Sequence, residues 1–163
     1  MRKADIINSK IFGLPDLVKR IAQWRILGKT VAFTNGVFDI MHRGHIASLS
    51  EAAREADYLV VGLNSDASTK RLKGLSRPVN DEQARSIVMA SLLMVDAVIL
   101  FEEDTPLELI KAVLPDVLVK GGDYTEEQIV GAREVKASGG KVVINPIVQG
   151  YSTTGLIEKI HKL

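Results

Sequence analysis

The chain has no cysteine among its 163 residues, so disulfides, thiolate nucleophiles and cysteine-built metal sites are excluded. It has no excess of charge either: 21 basic residues face 20 acidic ones, and a net +1 gives no bulk pull toward nucleic acid or a membrane surface. Any anion site must therefore be a local cluster. No apolar run approaches the roughly 20 residues of a membrane span. The opening MRKADIINSK lacks the apolar stretch of a secretory signal, so a cytoplasmic protein is expected. Repeats, low-complexity tracts and linkers are missing too. Histidine is scarce: besides His42 and His45 there is His161 alone, and no third ligand at recognisable spacing completes a metal site around the first two.

What is present is an alternation of strand-like and helix-like segments. Residues 1–13 read as an irregular lead-in. Pro15 sits at a first helical position, and Leu17, Val18, Ile21, Trp24 and Leu27 follow at helical spacing until Gly28. Trp24 reads as core filler. Buried strands are expected at Val31–Phe33, Tyr58–Leu63, Val95–Phe101, Val117–Val119 and Val142–Ile144. Between them, Asn80–Gln83 has the form of a capping box opening a helix to about Leu93. Thr105-Pro106 opens another helix that ends at Pro115, and Thr125–Gln128 a third that stops at Gly139-Gly140. A last helix covers Gly155–His161. Such alternation predicts an α/β domain with about five parallel strands and helices on both faces, spanning 1–163 as one unit. Ligands of such sheets bind beyond the carboxyl ends of the strands, where the strand order reverses.

The organising stretch is TVAFTNGVFDIMHRGHIASLS, Thr30–Ser50. A hydrophobic run leads through Thr34, Asn35, Gly36, Phe38 and Asp39 to His42-Arg43-Gly44-His45. From there Ile46, Leu49, Ala52, Ala53 and Ala56 fall at helical spacing. Two histidines thus stand where a helix starts, beside free N–H groups and the positive end of its dipole, an arrangement suited to phosphate. Gly36 and Gly44 leave the backbone open to a ligand. Three more polar segments follow strands and share the same edge. The first is basic, Lys70–Arg77, with Arg85 one turn into the next helix. The second is Lys120-Gly121-Gly122-Asp123-Tyr124. The third is Gly150–Thr154, which sets three hydroxyl residues (Ser152, Thr153 and Thr154) at a helix start where a cap needs one.

His42-Arg43-Gly44-His45 resembles the HxGH signature of the nucleotidyltransferase superfamily, and TNGVFDIMHRGH resembles its longer GxFDxxHxGH form. Within the superfamily the chain is similar, from about Leu14 to its end, to the adenylyltransferases of ADP-heptose synthesis, which occur alone or joined to a kinase. Val37 stands where that motif commonly has cysteine, which suits a small packing residue. The resemblance implies a Rossmann-like nucleotidyltransferase fold. It also implies transfer of AMP from ATP to a heptose 1-phosphate, with Mg²⁺ bridging phosphate oxygens. His42 and His45 would donate to the phosphates. Lys73, in RLKGLSRPVN, would hold the departing pyrophosphate, with Arg77 as companion. VKGGDY, with Lys120, Gly121 and Asp123, would lie against the nucleoside. Tyr151, Ser152 and Thr153 fall in a GxSTT element. The arginine of the related ISSTxxR form is replaced by Ile157, which leaves Lys73, Arg77 or Arg85 to supply charge. Implied partners are small molecules, with a homodimer as the assembly to expect and a separate heptose kinase as the supplier of substrate. Sibling readings are glycerol-3-phosphate cytidylyltransferase and pantetheine-phosphate adenylyltransferase. A non-catalytic nucleotide-binding module is the reading from another class.

Overall fold

A computed structural model describes residues 4–146 and 150–163. Its centre is a six-stranded, all-parallel sheet in the order β1-β4-β3-β2-β5-β6. The strands are β1 (Ile11–Phe12), β2 (Val31–Gly36), β3 (Tyr58–Asn64), β4 (Ala97–Phe101), β5 (Val117–Gly121) and β6 (Lys141–Asn145). The helices are α1 (Leu14–Ile26), α2 (Arg43–Arg54), α3 (Asp66–Lys73), α4 (Glu82–Ala90), α5 (Leu107–Val113), α6 (Ala132–Ala137) and α7 (Thr153–Ile160).

Successive side chains of a strand face opposite sides, and this sheet is apolar on both. Val31 and Phe33 of β2 join Leu17, Ile21 and Trp24 of α1, Leu109, Ile110 and Val113 of α5, and Val135 of α6. Ala32, on the other side, joins Leu49 and Ala52 of α2 with Met89 and Ala90 of α4. Trp24 fills the core as expected, its ring stacked on Tyr58 at 4.1 Å. The lower ends of the central strands are tied by carboxylates. Asp57 accepts from the Thr30 N–H, Asp116 from Val31 and Asp96 from Leu59, each within 2.9 Å.

Two expectations need correction. The sheet has six strands rather than five, because the lead-in is not irregular throughout. Beyond its first three residues, which lie outside the described ones, it forms two 3-10 turns and then β1, which pairs with β4 at Ile11↔Val98 and Phe12↔Ile99. The basic segment is not a loop in full, since α3 takes up Asp66–Lys73 with Ser65 as its N-cap, accepting from the Ser68 N–H at 3.1 Å. The expected cap at Thr125 is present as a capping box with Gln128, but it closes a 3-10 turn. Helix α6 begins only after Gly131, at φ 87°, where an added Cβ would strike Ile110 at 2.6 Å.

Candidate active site

Strand β2 is the switch point. The chain moves from it to β3 and β4 on one side and later to β5 and β6 on the other, which opens a crevice over its carboxyl end. A cavity of about 500 Å³ lies there. All four polar segments reach it. Asn35, Gly36, Phe38, Asp39 and His45 come from the first, Lys73 and Arg77 from the second, Lys120 and Tyr124 from the third, and Thr153 and Thr154 from the fourth. Thr34, His42, Gly44, Arg85, Gly121, Asp123, Tyr151 and Ser152 are not among the residues that line it. Gln149 lies outside the described residues.

The turn from β2 to α2 is built around Phe38, whose φ of 47° is a left-handed conformation that a bulky residue rarely holds. Its ring lies so close to Gly36 that a Cβ there would be 3.0 Å from Cε2, and it meets His45 edge-on at 5.3 Å between centroids. His42 is the N-cap of α2, its carbonyl accepting from the His45 N–H at 3.0 Å. The two imidazoles stack at 3.8 Å, and a Cβ on Gly44 would come within 3.0 Å of the His42 ring and 3.2 Å of Tyr151 Cβ. A side chain between the histidines would therefore press on the His42 ring and Tyr151. Both Nδ1 atoms are buried and have no hydrogen-bond partner among the described residues. Burial lowers the pKa of both rings, and with the added influence of His42 it carries His45 down to about 4. The pair is neutral near pH 7, each ring offering one N–H and one lone pair.

Asp39 ties this turn to the segment after α3. Its buried carboxylate accepts from Arg77 Nε at 2.6 Å and from the N–H groups of Val79 and Asn80 at 2.9 Å. Burial alone would raise its pKa, but those two N–H bonds and the guanidinium outweigh it and hold the carboxyl below its usual value. Arg77 is left lining the cavity with its Nε fixed.

Arg85 is a correction. Expected as one source of charge for phosphate, it is 2% exposed, and each of its three guanidinium nitrogens already donates a hydrogen bond. It donates to the carbonyls of Asn80, Val37 and Asn64 and to Asp66 Oδ1, all within 3.0 Å. Its charge holds the loops together from behind.

Lys120 is the opposite case. It is partly buried, which lowers its pKa, yet its Nζ has only Asn35 Oδ1 at 3.4 Å and no carboxylate among the described residues. Lys73, the last residue of α3, is exposed and likewise forms no ion pair among the described residues. Beyond β6, Ser152 caps α7 by accepting from the Gly155 N–H at 3.0 Å, so one hydroxyl serves as cap and Thr153 and Thr154 are left to line the cavity. Tyr151 sits at the rim, its ring 5.7 Å from the Arg43 guanidinium carbon.

Two walls of the cavity are not expected from the sequence. Asp104, Thr105 and Pro106, between β4 and α5, line the cavity. Thr105-Pro106 reads as a helix start, and α5 does begin there, with Pro106 as N-cap. The available signal was position, because this loop also follows a strand at the carboxyl edge. Gln128, Ile129 and Val130 were missed on the other side for a similar reason, being taken as helix interior.

A profile described as cytidylyltransferase-like matches residues 33–159, most of the chain and all of the cleft's contributing segments. The chain belongs to the cytidylyltransferase-like family. It is a nucleotidyltransferase domain with the HxGH histidines in place. Among curated proteins it is similar to the bifunctional protein HldE of Rhodopseudomonas palustris (strain BisB18), 56% identical over 144 residues, which is 88% of this chain and 29% of that one. HldE of Methylobacillus flagellatus is 52% identical over 151 residues, 93% of this chain and 31% of the relative. The chain thus spans under a third of the length of these relatives. Among solved structures, the lipopolysaccharide core biosynthesis protein of Thermoplasma volcanium is 32% identical, with a TM-score of 0.62 over 77% of this chain and all of that one. The pantoate–β-alanine ligase of Francisella tularensis, 16% identical with a TM-score of 0.61, shares the fold. Among the described residues no helix is long and apolar enough to cross a membrane.

Proposed function

We propose that the chain transfers AMP from ATP to D-glycero-D-manno-heptose 1-phosphate, releasing pyrophosphate and forming ADP-heptose for surface heptose synthesis. The observation that carries this reading is the convergence of four separate segments on one cleft whose donors are not used up by the protein. Among the described residues the histidine pair has Nδ1 atoms without a partner, and Lys73 and Lys120 have no carboxylate partner. The strong similarity to HldE over 88% of the chain favours heptose 1-phosphate and ATP over the acceptors and nucleotide of the sibling enzymes.

The reaction is a direct in-line displacement. An oxygen of the acceptor phosphate forms a bond to the α-phosphorus of ATP as the bond to the bridging oxygen breaks, and pyrophosphate leaves with the electron pair. No side chain needs to act as nucleophile. The protein's work is positioning and charge stabilisation. His45 and the amino end of α2 face the reacting phosphate, with His42 stacked behind to hold the ring. Lys73 and Arg77 supply positive charge from one side and Lys120 from the other. Because His45 is neutral, it donates a fixed hydrogen bond, which strengthens as charge builds on the phosphoryl oxygens.

The residues present do not form a resident Mg²⁺ site. No group of three or more His, Asp or Glu side chains stands together among the described residues, and both cleft carboxylates are already bonded to arginines. Mg²⁺ enters this account only on the nucleotide's own phosphates, and no step depends on a protein-held ion. We take the working assembly to be a homodimer and the acceptor to come from a heptose kinase. The test is pyrophosphate release with ATP or CTP against heptose 1-phosphate, glycerol 3-phosphate and pantetheine phosphate. ATP with heptose 1-phosphate should exceed every other pair, and a CTP rate equal to or above the ATP rate would overturn the adenylyl assignment.

A further inference from the structure

We propose that Asp104 and Thr105, on the loop between β4 and α5, form the subsite that binds the hydroxyl groups of the acceptor sugar. This rests on the reading of the cleft as a sugar-phosphate adenylyltransferase site and names where its second substrate lies.

The cleft is built for anions, with Lys73, Arg77 and Lys120 around it, yet two carboxylates also line it. Asp39 is buried and saturated by Arg77, Val79 and Asn80. Asp104 is different. One oxygen, Oδ1, accepts from Arg71 Nε at 2.7 Å, and its side chain is 54% exposed toward solvent and cleft. A carboxylate repels phosphate, so this part of the wall suits the uncharged portion of a substrate. Carboxylates accept hydrogen bonds from hydroxyls, and these are stronger than neutral pairs. Thr105 adds a hydroxyl that can both donate and accept.

The loop is fixed rather than slack. Arg71 also donates to the Glu102 carbonyl, Ser68 Oγ donates to the Glu103 carbonyl at 3.0 Å, and Asn64 Nδ2 holds Ser68 Oγ at 3.0 Å. A preorganised acceptor of hydroxyl bonds discriminates among polyols, because ordering it costs little on binding.

Two polyol sources exist, the ribose of the nucleotide and the sugar of the acceptor. The sheet separates them. The wall suited to a nucleoside lies past β5, where Gly122 at φ 137° keeps the backbone bare beside Tyr124, and Ile129 and Val130 add apolar surface. Strand β4 lies on the far side of β2 and β3 from β5, three strand spacings away, or roughly 14 Å. A nucleoside seated past β5, with its α-phosphate over β2 at His45, leaves the β4 side for the sugar.

The experiment measures KM for ATP and for heptose 1-phosphate with wild type, Asp104→Asn and Thr105→Val, with thermal unfolding as a control. Asp104→Asn should raise the acceptor KM about tenfold or more and leave the ATP KM within about twofold, at unchanged Tm. Thr105→Val should raise the acceptor KM in the same direction by less. An unchanged acceptor KM in both variants, with wild type turning over heptose 1-phosphate, would remove the subsite and leave the function standing. A raised ATP KM with an unchanged acceptor KM would move Asp104 to the ribose and overturn the proposal. A wild type that turns over no sugar phosphate would take both readings down together.

Discussion

Arg85, buried, and Lys120, partly buried, are both cations at the carboxyl edge of the same sheet, and their surroundings are opposite. Arg85 meets three carbonyls and a carboxylate within 3.0 Å, whereas Lys120 meets one amide oxygen at 3.4 Å. A buried charge without partners is costly unless something else accounts for it. For Arg85 the fold itself accounts for the charge. For Lys120 the partner we propose is the substrate's phosphate. The same division runs through the rest of the cleft: Asp39 is saturated and acts as scaffold, while the imidazoles of His42 and His45 keep buried Nδ1 atoms without a partner among the described residues. On the proposed reading, bond saturation separates Arg85 and Asp39, which hold the site, from Lys120 and His45, which act in it.

The largest effect expected on this view is on folding. Arg85→Met leaves Asp66 and three carbonyls without their donor and should cost about 3 kcal/mol of stability, the low end for breaking a buried pair because Asp66 is partly exposed. Lys120→Met should leave stability unchanged or slightly raised, since a partly buried charge without a carboxylate partner among the described residues is removed, while turnover falls about 10²-fold. Urea unfolding and steady-state kinetics on both variants check this. If the two lysine effects and the arginine effects come out alike, saturation does not sort the residues.

His45→Ala sharpens the same contrast within the histidine pair. One preorganised donor to an anionic transition state is worth about 10²–10³ in rate. Near-normal activity, or a loss that merely tracks unfolding, would remove the donor role.

The fold was largely legible because the five longer strands announce themselves as apolar runs. Residue Val31 to Phe33 and Tyr58 to Leu63 fall inside β2 and β3 as they stand. Strand β1 was not legible: two residues carry no period, and their pairing with β4 is a long-range event. Helix α3 was hidden because it buries only Ser68 and Thr69, so no apolar stripe marks it. The cleft's edge could be read from the rule that ligands lie beyond strand ends, and this brought His45, Lys73, Arg77 and Lys120 together. What the rule could not supply was side-chain direction. Helical spacing places Arg85 on α4 but does not say that its guanidinium turns inward to Val37 and Asn64.

The smallest effect expected is on the pH dependence of folding. Burial, with His42 beside it, lowers the His45 pKa from 6.5 to about 4 in the folded chain. Between those values the unfolded chain binds the extra proton, so stability should fall as pH drops from 6.5 toward 4 and be flat above. The carboxylates with lowered pKa, Asp39 and Asp57, act mainly below that window. Urea unfolding at pH 7 and pH 5 should show the loss in wild type and a smaller one in His45→Gln. Equal losses would place the proton elsewhere.

The central claim is that fixed donors carry a single direct transfer, with no protein nucleophile. It is tested most directly by the stereochemistry at phosphorus. With ATP made chiral at the α-phosphorus by one sulfur, and heptose 1-phosphate as acceptor, one in-line displacement predicts ADP-heptose of inverted configuration. Retention would require two displacements and a covalent enzyme intermediate, and would contradict the account.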